Sequence, residues 1–442
     1  MIRSQLKEFM KRMEPDSVAI IPAAHEVTRS YDSHYRFRQD SDFLYLTGFP
    51  EPDAVAVIAP SNTKNPFTLF VRPSDPLMET WNGKRYGVAG ALKQFGATRA
   101  LPIESFAKEF PKLVGGHEKL YYRFGRYDHY DKQILEYYGR QRFSRQPGAY
   151  PPAIIIDPSL ITHEMRLIKD DAEAALMQKA ADISAAAHVK AMKMAKPNMG
   201  EHEIEAMMES YFRQKGAVGP AYTSIVGAGA NATILHYIEN NGTLGDGELL
   251  LIDAGAEYDG YAADITRTFP VNGKYSPAQR DVYDIVLETQ KACCEITRVG
   301  SSNVKRQQLA IEMLTEGMVK IGLLKGKPKD LIRKKTYLKY YMHGLGHYLG
   351  LDVHDAGRYF SDNYVKNSRP FEAGMVLTVE PGIYVPADDK TAPPKYRGIG
   401  IRVEDDVLIT KDGNINLTSK VPKEREEIED LMSKGKAKAA AK

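Results

Sequence analysis

Residues 247–258, GELLLIDAGAEY, and residues 374–384, GMVLTVEPGIY, repeat one another. In each, a glycine is followed by five mostly apolar residues, an acid (Asp253 or Glu380), one further residue and a second glycine. Each copy is trailed by another acid in a strand-like run: Asp264 in GYAADITRTF and Glu404 in GIGIRVEDDVLIT. One short motif recurs by chance. An ordered pair, each with its trailing acid, points to a duplicated unit. Helical patterns precede strand patterns twice, over 163–216 and again over 277–322. The expected architecture is α+β, with two halves related by a pseudo-two-fold and each giving two carboxylates to one centre.

The first copy carries its own geometry. Asp259-Gly260 is a hairpin signal between two apolar runs. If these two residues form the turn, Asp253 faces Thr266 and Asp264 lies two residues away on the same face. If Tyr258-Asp259 forms it, the aspartates are directly opposite. Either register leaves the carboxylates about 4.5–8 Å apart. Two bare anions that close on a buried sheet repel one another and resist desolvation. A lysine, an arginine or a metal ion should lie between them. In the second copy, strand parity puts Gly400, Arg402 and Glu404 on one face and Val376, Thr378 and Glu380 on another. Arg402 can thus brace Glu404.

Three of the chain's 11 histidines fall in HGLGHYLGLDVHD, residues 343–355. His343 and His347 are spaced as in a helical zinc clamp. Glycines at 344, 346 and 350 argue against a helix, since each costs about 1 kcal/mol relative to Ala. They suit a backbone passing close to a ligand. Four carboxylates and an imidazole are the wrong donors for a structural zinc and suit hard or borderline divalent ions. Bridging carboxylates suit two ions about 3.5–4 Å apart. The glycine-rich run IVGAGANATILHY, residues 225–237, lacks the third glycine or the lysine of a phosphate loop.

With 442 residues and 43% hydrophobic content, the chain can build two or three domains. Residues 1–162 alternate short strands with helical stretches and read as an α/β domain. It ends at a Pro-rich linker, QPGAYPPAIIIDPS. Residues 163–430 form the duplicated domain. Residues 431–442 form a basic tail expected to be disordered. The formal charge is +3, and the tail alone holds four lysines. The body is therefore near neutral, which excludes a global pull toward nucleic acid or membrane. The Tyr/Arg-rich run 119–150 accordingly reads as a strand and an amphipathic helix rather than a nucleic-acid surface. Two adjacent cysteines, Cys293 and Cys294, staple nothing and suit a reducing cytoplasm. No signal-peptide core or membrane span is expected.

With these residues assembled, the chain resembles the Xaa-Pro aminopeptidases (aminopeptidase P) of the pita-bread metallopeptidases. The resemblance runs from EVTRSYDSHYRFRQDSDFLYLTGF, residues 26–49, to YRGIGIRVEDDVLIT, residues 396–410. It implies two divalent ions, usually Mn²⁺, held by Asp253, Asp264, His347, Glu380 and Glu404. It implies that His236, His343 and His354 line the substrate pocket, that Arg402 supports Glu404, and that Glu380 moves a proton during metal-assisted hydrolysis. Trp81, the lone tryptophan, would line a pocket from a neighbouring subunit. The implied substrate is a peptide with an Xaa-Pro N-terminus, cut after its first residue by a cytoplasmic homo-oligomer, a tetramer or dimer. Prolidase activity on Xaa-Pro dipeptides is the rival within the fold. A metal-free peptide-binding module is the rival outside enzymology, and it should lack the ligands that are intact here.

Overall fold

The computed structural model describes residues 2–143, 150–360 and 368–440. Contacts divide the chain into two compact units, Met1–Met165 and Arg166–Lys442.

In the first unit, a six-stranded mixed sheet runs in the order 99–102, 67–71, 55–58, 17–22, 119–121, 154–156. The strands Ser17–Pro22, Val55–Ile58 and Phe67–Val71 are buried at every residue. Such continuous apolar strands need cover on both faces. Helices Phe106–Val114 and Asp128–Gln141 supply one cover, packing Phe106, Phe110, Tyr130 and Ile134 against Val18, Ile20 and Val57. The Tyr/Arg-rich run thus becomes the strand Lys119–Tyr121 and an amphipathic helix, with 144–149 outside the described residues. The stretch read as a linker instead adds the strand Ile154–Ile156, parallel to Lys119–Tyr121.

In the second unit, the long helical pattern splits at Asp170. Its carboxylate accepts from the N–H groups of Ala172 and Glu173, and Glu173 returns a bond to the Asp170 N–H. This capping box starts the helix Asp171–Met194. Helices Glu201–Gln214, Pro277–Ile296 and Asn303–Lys320 follow the sequence pattern closely.

The duplication is visible strand by strand. Leu249–Asp253 pairs with Thr266–Pro270, and Ala256–Tyr258 pairs with Tyr261–Ala262. In the second half, Val376–Val379 pairs with Asp405–Thr410, and Gly382–Tyr384 pairs with Gly400–Arg402. All these pairs are antiparallel, and each half has an interruption between its inner and outer segments. Asp253 ends its strand, while Asp264, Glu380 and Glu404 fall in the interruptions. Asp259 and Gly260 form the turn with φ of 50° and 86°, and Asp253 faces Thr266. That is the first of the two registers.

Two further expectations meet particular residues. Both thiols of the cysteine pair are pushed up to about 12 by burial, which leaves them unreactive. The helix Arg425–Ala440 runs into the segment read as a disordered tail. Ile428 and Met432 anchor it in the core, and its alanines and lysines are good helix formers. Residues 441–442 lie outside the described residues. Among the described residues, no helix is long and apolar enough to cross a membrane.

Candidate metal centre

The interruptions of the two hairpin pairs open onto one cavity of about 690 Å³. Asp253, Asp264, Glu380 and Glu404 all line it, with His236, His343, His347, His354 and Arg402. Trp81 does not. It is 79% exposed on the helix Pro76–Asn82 of the first unit.

Three ligand atoms from Asp264, His347 and Glu404 lie within 4.8 Å of one another. His347 Nε2 is 3.4 Å from Asp264 Oδ2 and 3.6 Å from Glu380 Oε1. Its Nδ1 is 3.0 Å from the Tyr348 carbonyl oxygen, to which it must donate. That bond fixes the ring and aims Nε2 at the carboxylates. His354 stacks edge-on against His347, with ring centroids 4.3 Å apart. His343 Nδ1 donates to the Gly344 carbonyl at 2.7 Å, so its Nε2 accepts from the Tyr384 hydroxyl at 2.8 Å. Burial lowers His354 and, together with the nearby Arg402 charge, holds His343 at about 4. Both are therefore neutral imidazoles near pH 7.

Arg402 also makes hydrogen bonds that the parity argument did not foresee. Its Nη2 donates to Asp253 Oδ2 at 2.5 Å, its Nε to Thr266 Oγ1 at 3.0 Å and its Nη1 to the Tyr384 hydroxyl at 3.0 Å. By hydrogen bonds Arg402 reaches Glu404 through Thr266, whose hydroxyl donates to Glu404 Oε2 at 2.6 Å, while its charge also acts on Glu404 directly. Arg402 therefore ties the two halves together, because the carboxylate of the other hairpin is the nearer anion.

Tyr222, Thr266 and Tyr384 were not foreseen as site residues. The Tyr222 hydroxyl is 2.6 Å from an oxygen of Asp253 and 2.6 Å from one of Asp264. It lies in an irregular stretch with no periodicity to expose its role. Thr266 had a signal, since the hairpin register places it opposite Asp253. Tyr384 occupies the end of the second repeat, where the first repeat also has a tyrosine, Tyr258.

The electrostatics test whether cations fit here. Burial, reinforced by the charges of Asp264, Glu380 and Asp253, pushes the Glu404 carboxyl well above the usual carboxylate range. Burial likewise raises Asp253 and moves Glu380 to about 7. Burial alone would lower His347, but the Asp264 hydrogen bond and the Glu380 charge bring it up to about 9. Burial would raise Asp264 too, but the His347 hydrogen bond and charge hold it below its ordinary value, and Arg402 and His347 are too few cations for all four crowded acids to ionise. The cluster draws protons to itself, and divalent cations would serve the same need. Oxygen-rich donors with one imidazole nitrogen fit hard or borderline divalent ions.

Comparison with known proteins agrees with this chemistry. Residues 175–411 match the profile of Metallopeptidase family M24, and residues 2–121 match that of the aminopeptidase P N-terminal domain. The chain is 46% identical over 425 residues to the Xaa-Pro aminopeptidase of Escherichia coli K12, covering 96% of this chain and 95% of that one. Its fold superposes on aminopeptidase PepP of Pseudomonas aeruginosa with a TM-score of 0.95, at 43% identity and over 99% and 100% of the two chains. It superposes on aminopeptidase P from E. coli with the inhibitor Pro-Leu with a TM-score of 0.93, at 43% identity and over 98% of each chain. The duplicated unit is thus a pita-bread domain, and the chain belongs to metallopeptidase family M24 with an N-terminal domain of the aminopeptidase P type.

Proposed function

We propose that this chain hydrolyses the first peptide bond of peptides with proline in the second position, releasing the N-terminal residue. One observation carries the reading: four carboxylates from two matched hairpins and His347 Nε2 converge in one cavity. The likeness to Xaa-Pro aminopeptidases supplies the substrate class.

Asp253, Asp264, Glu404, His347 and Glu380 would hold two divalent ions, and the carboxylate-rich donor set favours Mn²⁺. When bound, such ions polarise a carbonyl and bring the pKa of water toward neutrality. The chain's own residues do the rest. Glu380 takes a proton from the attacking water and delivers it to the departing proline nitrogen. That nitrogen carries no hydrogen before cleavage. His354 and His236 donate to the substrate carbonyl as charge develops on its oxygen. His343 lines the pocket with its tautomer set by Gly344. Tyr222, Thr266 and Arg402 hold the acids in register. We extend the reading to a cytoplasmic homo-oligomer, dimer or tetramer, in which Trp81 serves a neighbouring copy. The exposure of Trp81 and the two free cysteines support it.

The test strips the protein of metal, adds back Mn²⁺ and offers Xaa-Pro-Yaa peptides, Xaa-Pro dipeptides and Met-Ala peptides side by side. Tripeptides should be cut fastest, because contacts beyond the proline carbonyl hold the substrate for attack. N-acetylation or replacement of proline by alanine should abolish most of the rate. Faster cleavage of dipeptides would move the assignment to prolidase, and undiminished cleavage of Xaa-Ala peptides would remove the proline requirement.

A further inference from the structure

Glu201 opens the helix Glu201–Gln214 and is fully buried. Its carboxylate collects four hydrogen bonds. Oε1 accepts from the Ala228 N–H at 2.7 Å and from the Asn231 side-chain amide at 3.0 Å. Oε2 accepts from the Gly242 N–H at 2.7 Å and from the Tyr237 hydroxyl at 2.8 Å. Two donors on each oxygen is the full capacity of a carboxylate. All four are neutral, and an acid taken out of water beside no cation among them is costly to bury. None of the four belongs to the helix that Glu201 opens, so the acid does not cap its own helix.

The donors all belong to one loop. Ala228 ends the strand Ile225–Ala228, Gly242 stands at the far end, and Asn231 and Tyr237 lie between. The loop carries Leu235, His236 and Ile238, which line the catalytic cavity. Tyr237 turns the other way and is buried among Ile225, Leu251 and Tyr384. The base of the loop is closed without Glu201. The Asn240 side chain accepts from the Val226 N–H at 2.9 Å and donates to the Ser224 carbonyl at 2.8 Å. A second closure is redundant for the ends of the loop and fixes what lies between them. The second half of the catalytic unit bears on the same loop, since a Cβ at Gly400 would come 2.1 Å from the Ala232 carbonyl oxygen. Gly242 is what admits the acid, because a Cβ there would sit 2.9 Å from Glu201 Oε2.

We infer that Glu201 is a positioning residue for the hydrolysis, holding His236 at the substrate carbonyl through Tyr237 and the two ends of the loop. This rests on the role of His236 proposed above and deepens it. The rings of His343 and His347 are fixed by the carbonyl oxygens of Gly344 and Tyr348. Among the described residues the His236 ring has no hydrogen-bond partner, so its place is set by the backbone that carries it. A donor meets a developing oxyanion only at about 2.7–3.1 Å, and a displacement of about 1 Å costs about 10² in rate. A loop free to shift by that much would waste the imidazole.

The experiment uses the Mn²⁺-loaded full chain, the substrate Ala-Pro-Gly and four proteins: the parent, Glu201→Gln, His236→Ala and the double variant. Glutamine keeps the shape but turns an amide NH₂ toward two donors. In Glu201→Gln, kcat should fall about 10- to 100-fold, with KM changed less than about threefold and both ions retained on metal analysis. In the His236→Ala background the same substitution should cost less than about twofold, because the two residues act as one unit. A role confined to stability would lower the urea midpoint and leave kcat of the folded protein intact. Losses that multiply in the double variant would overturn the inference, as would an unchanged kcat or a loss of metal in Glu201→Gln. If Glu201→Gln does not fold, Tyr237→Phe takes its place in the same cycle. It keeps the ring in its apolar site, removes only the hydroxyl, and should cost about three- to tenfold in kcat where His236 is present. Parent kcat in Tyr237→Phe, or an equal loss without His236, would overturn the inference and leave the hydrolase reading standing. An unchanged rate in His236→Ala would remove the role on which the inference rests. No cleavage by the parent would remove the hydrolase reading and this inference with it.

Discussion

Asp264 is where the two halves of the centre meet. One oxygen faces Tyr222, the other faces His347, and its N–H donates to Asp406 of the opposite hairpin at 3.0 Å. If it bridges both ions, Asp264→Ala should fold, bind neither ion tightly and show essentially no turnover. Metal analysis of the purified variant decides this, since two ions per chain would contradict the bridging role. His354 touches the centre differently, through the face of the His347 ring. His354→Ala should keep its metal and lose about 10²–10³ in turnover, the usual size for one oxyanion donor. Wild-type turnover, or loss of metal, would count against that role. At this scale the acids were legible, because a carboxylate in an apolar strand is conspicuous. Tyr222 was not, because a tyrosine in an irregular stretch looks like any other.

At the scale of elements, the hairpins must open exactly once each to let their acids face the cavity. Gly255 makes the first opening possible. A Cβ at that position would lie 1.7 Å from the carbonyl oxygen of Ala263 and 3.1 Å from the Asp264 nitrogen. Both are backbone and cannot swing aside. Gly255→Ala should therefore cost about 3 kcal/mol of stability, at the upper end for overpacking, and should weaken metal binding by displacing Asp264. Urea unfolding and metal titration measure the two effects. A variant with unchanged midpoint and affinity would show that the strands can part without harm. The hairpin turn and the repeated Gly–acid–Gly pattern were readable because both are local. That Arg402 would choose Asp253 was not, because the pair joins residues on different hairpins.

For the catalytic unit as a whole, acid stability hangs on buried ion pairs. Asp355 is closed off between Arg166 Nη2 at 2.6 Å and Lys169 Nζ at 2.9 Å. Burial alone would raise its pKa, but the Lys169 and Arg166 charges outweigh burial and hold it below its ordinary 3.8. A depressed folded pKa means that the unfolded chain takes up the proton first. The stabilisation is then complete above the unfolded value and is lost as pH falls through the folded one. Asp355→Asn leaves two buried cations short of a partner and should cost about 3–5 kcal/mol at neutral pH. The gap to the parent should narrow below about pH 4. Urea midpoints across a pH series test this, and a gap constant down to pH 2 would show that the carboxylate charge is not what stabilises the unit.

By itself the sequence determined the duplication, the apolar run beside each acid and the motifs that carry the resemblance to aminopeptidase P, which in turn implied the five candidate ligands. All of these are written in local spacing, because strands alternate, turns need their residues within a few positions and a repeat preserves its offsets. Only the tertiary structure decided that Tyr222 spans Asp253 and Asp264, that Thr266 carries Arg402 to Glu404, that the presumed linker is a strand, and that Ile428 and Met432 draw the C-terminal helix into the core. Each joins residues far apart along the chain, and burial and hydrogen-bond satisfaction choose among such partners only once the whole unit has closed around them.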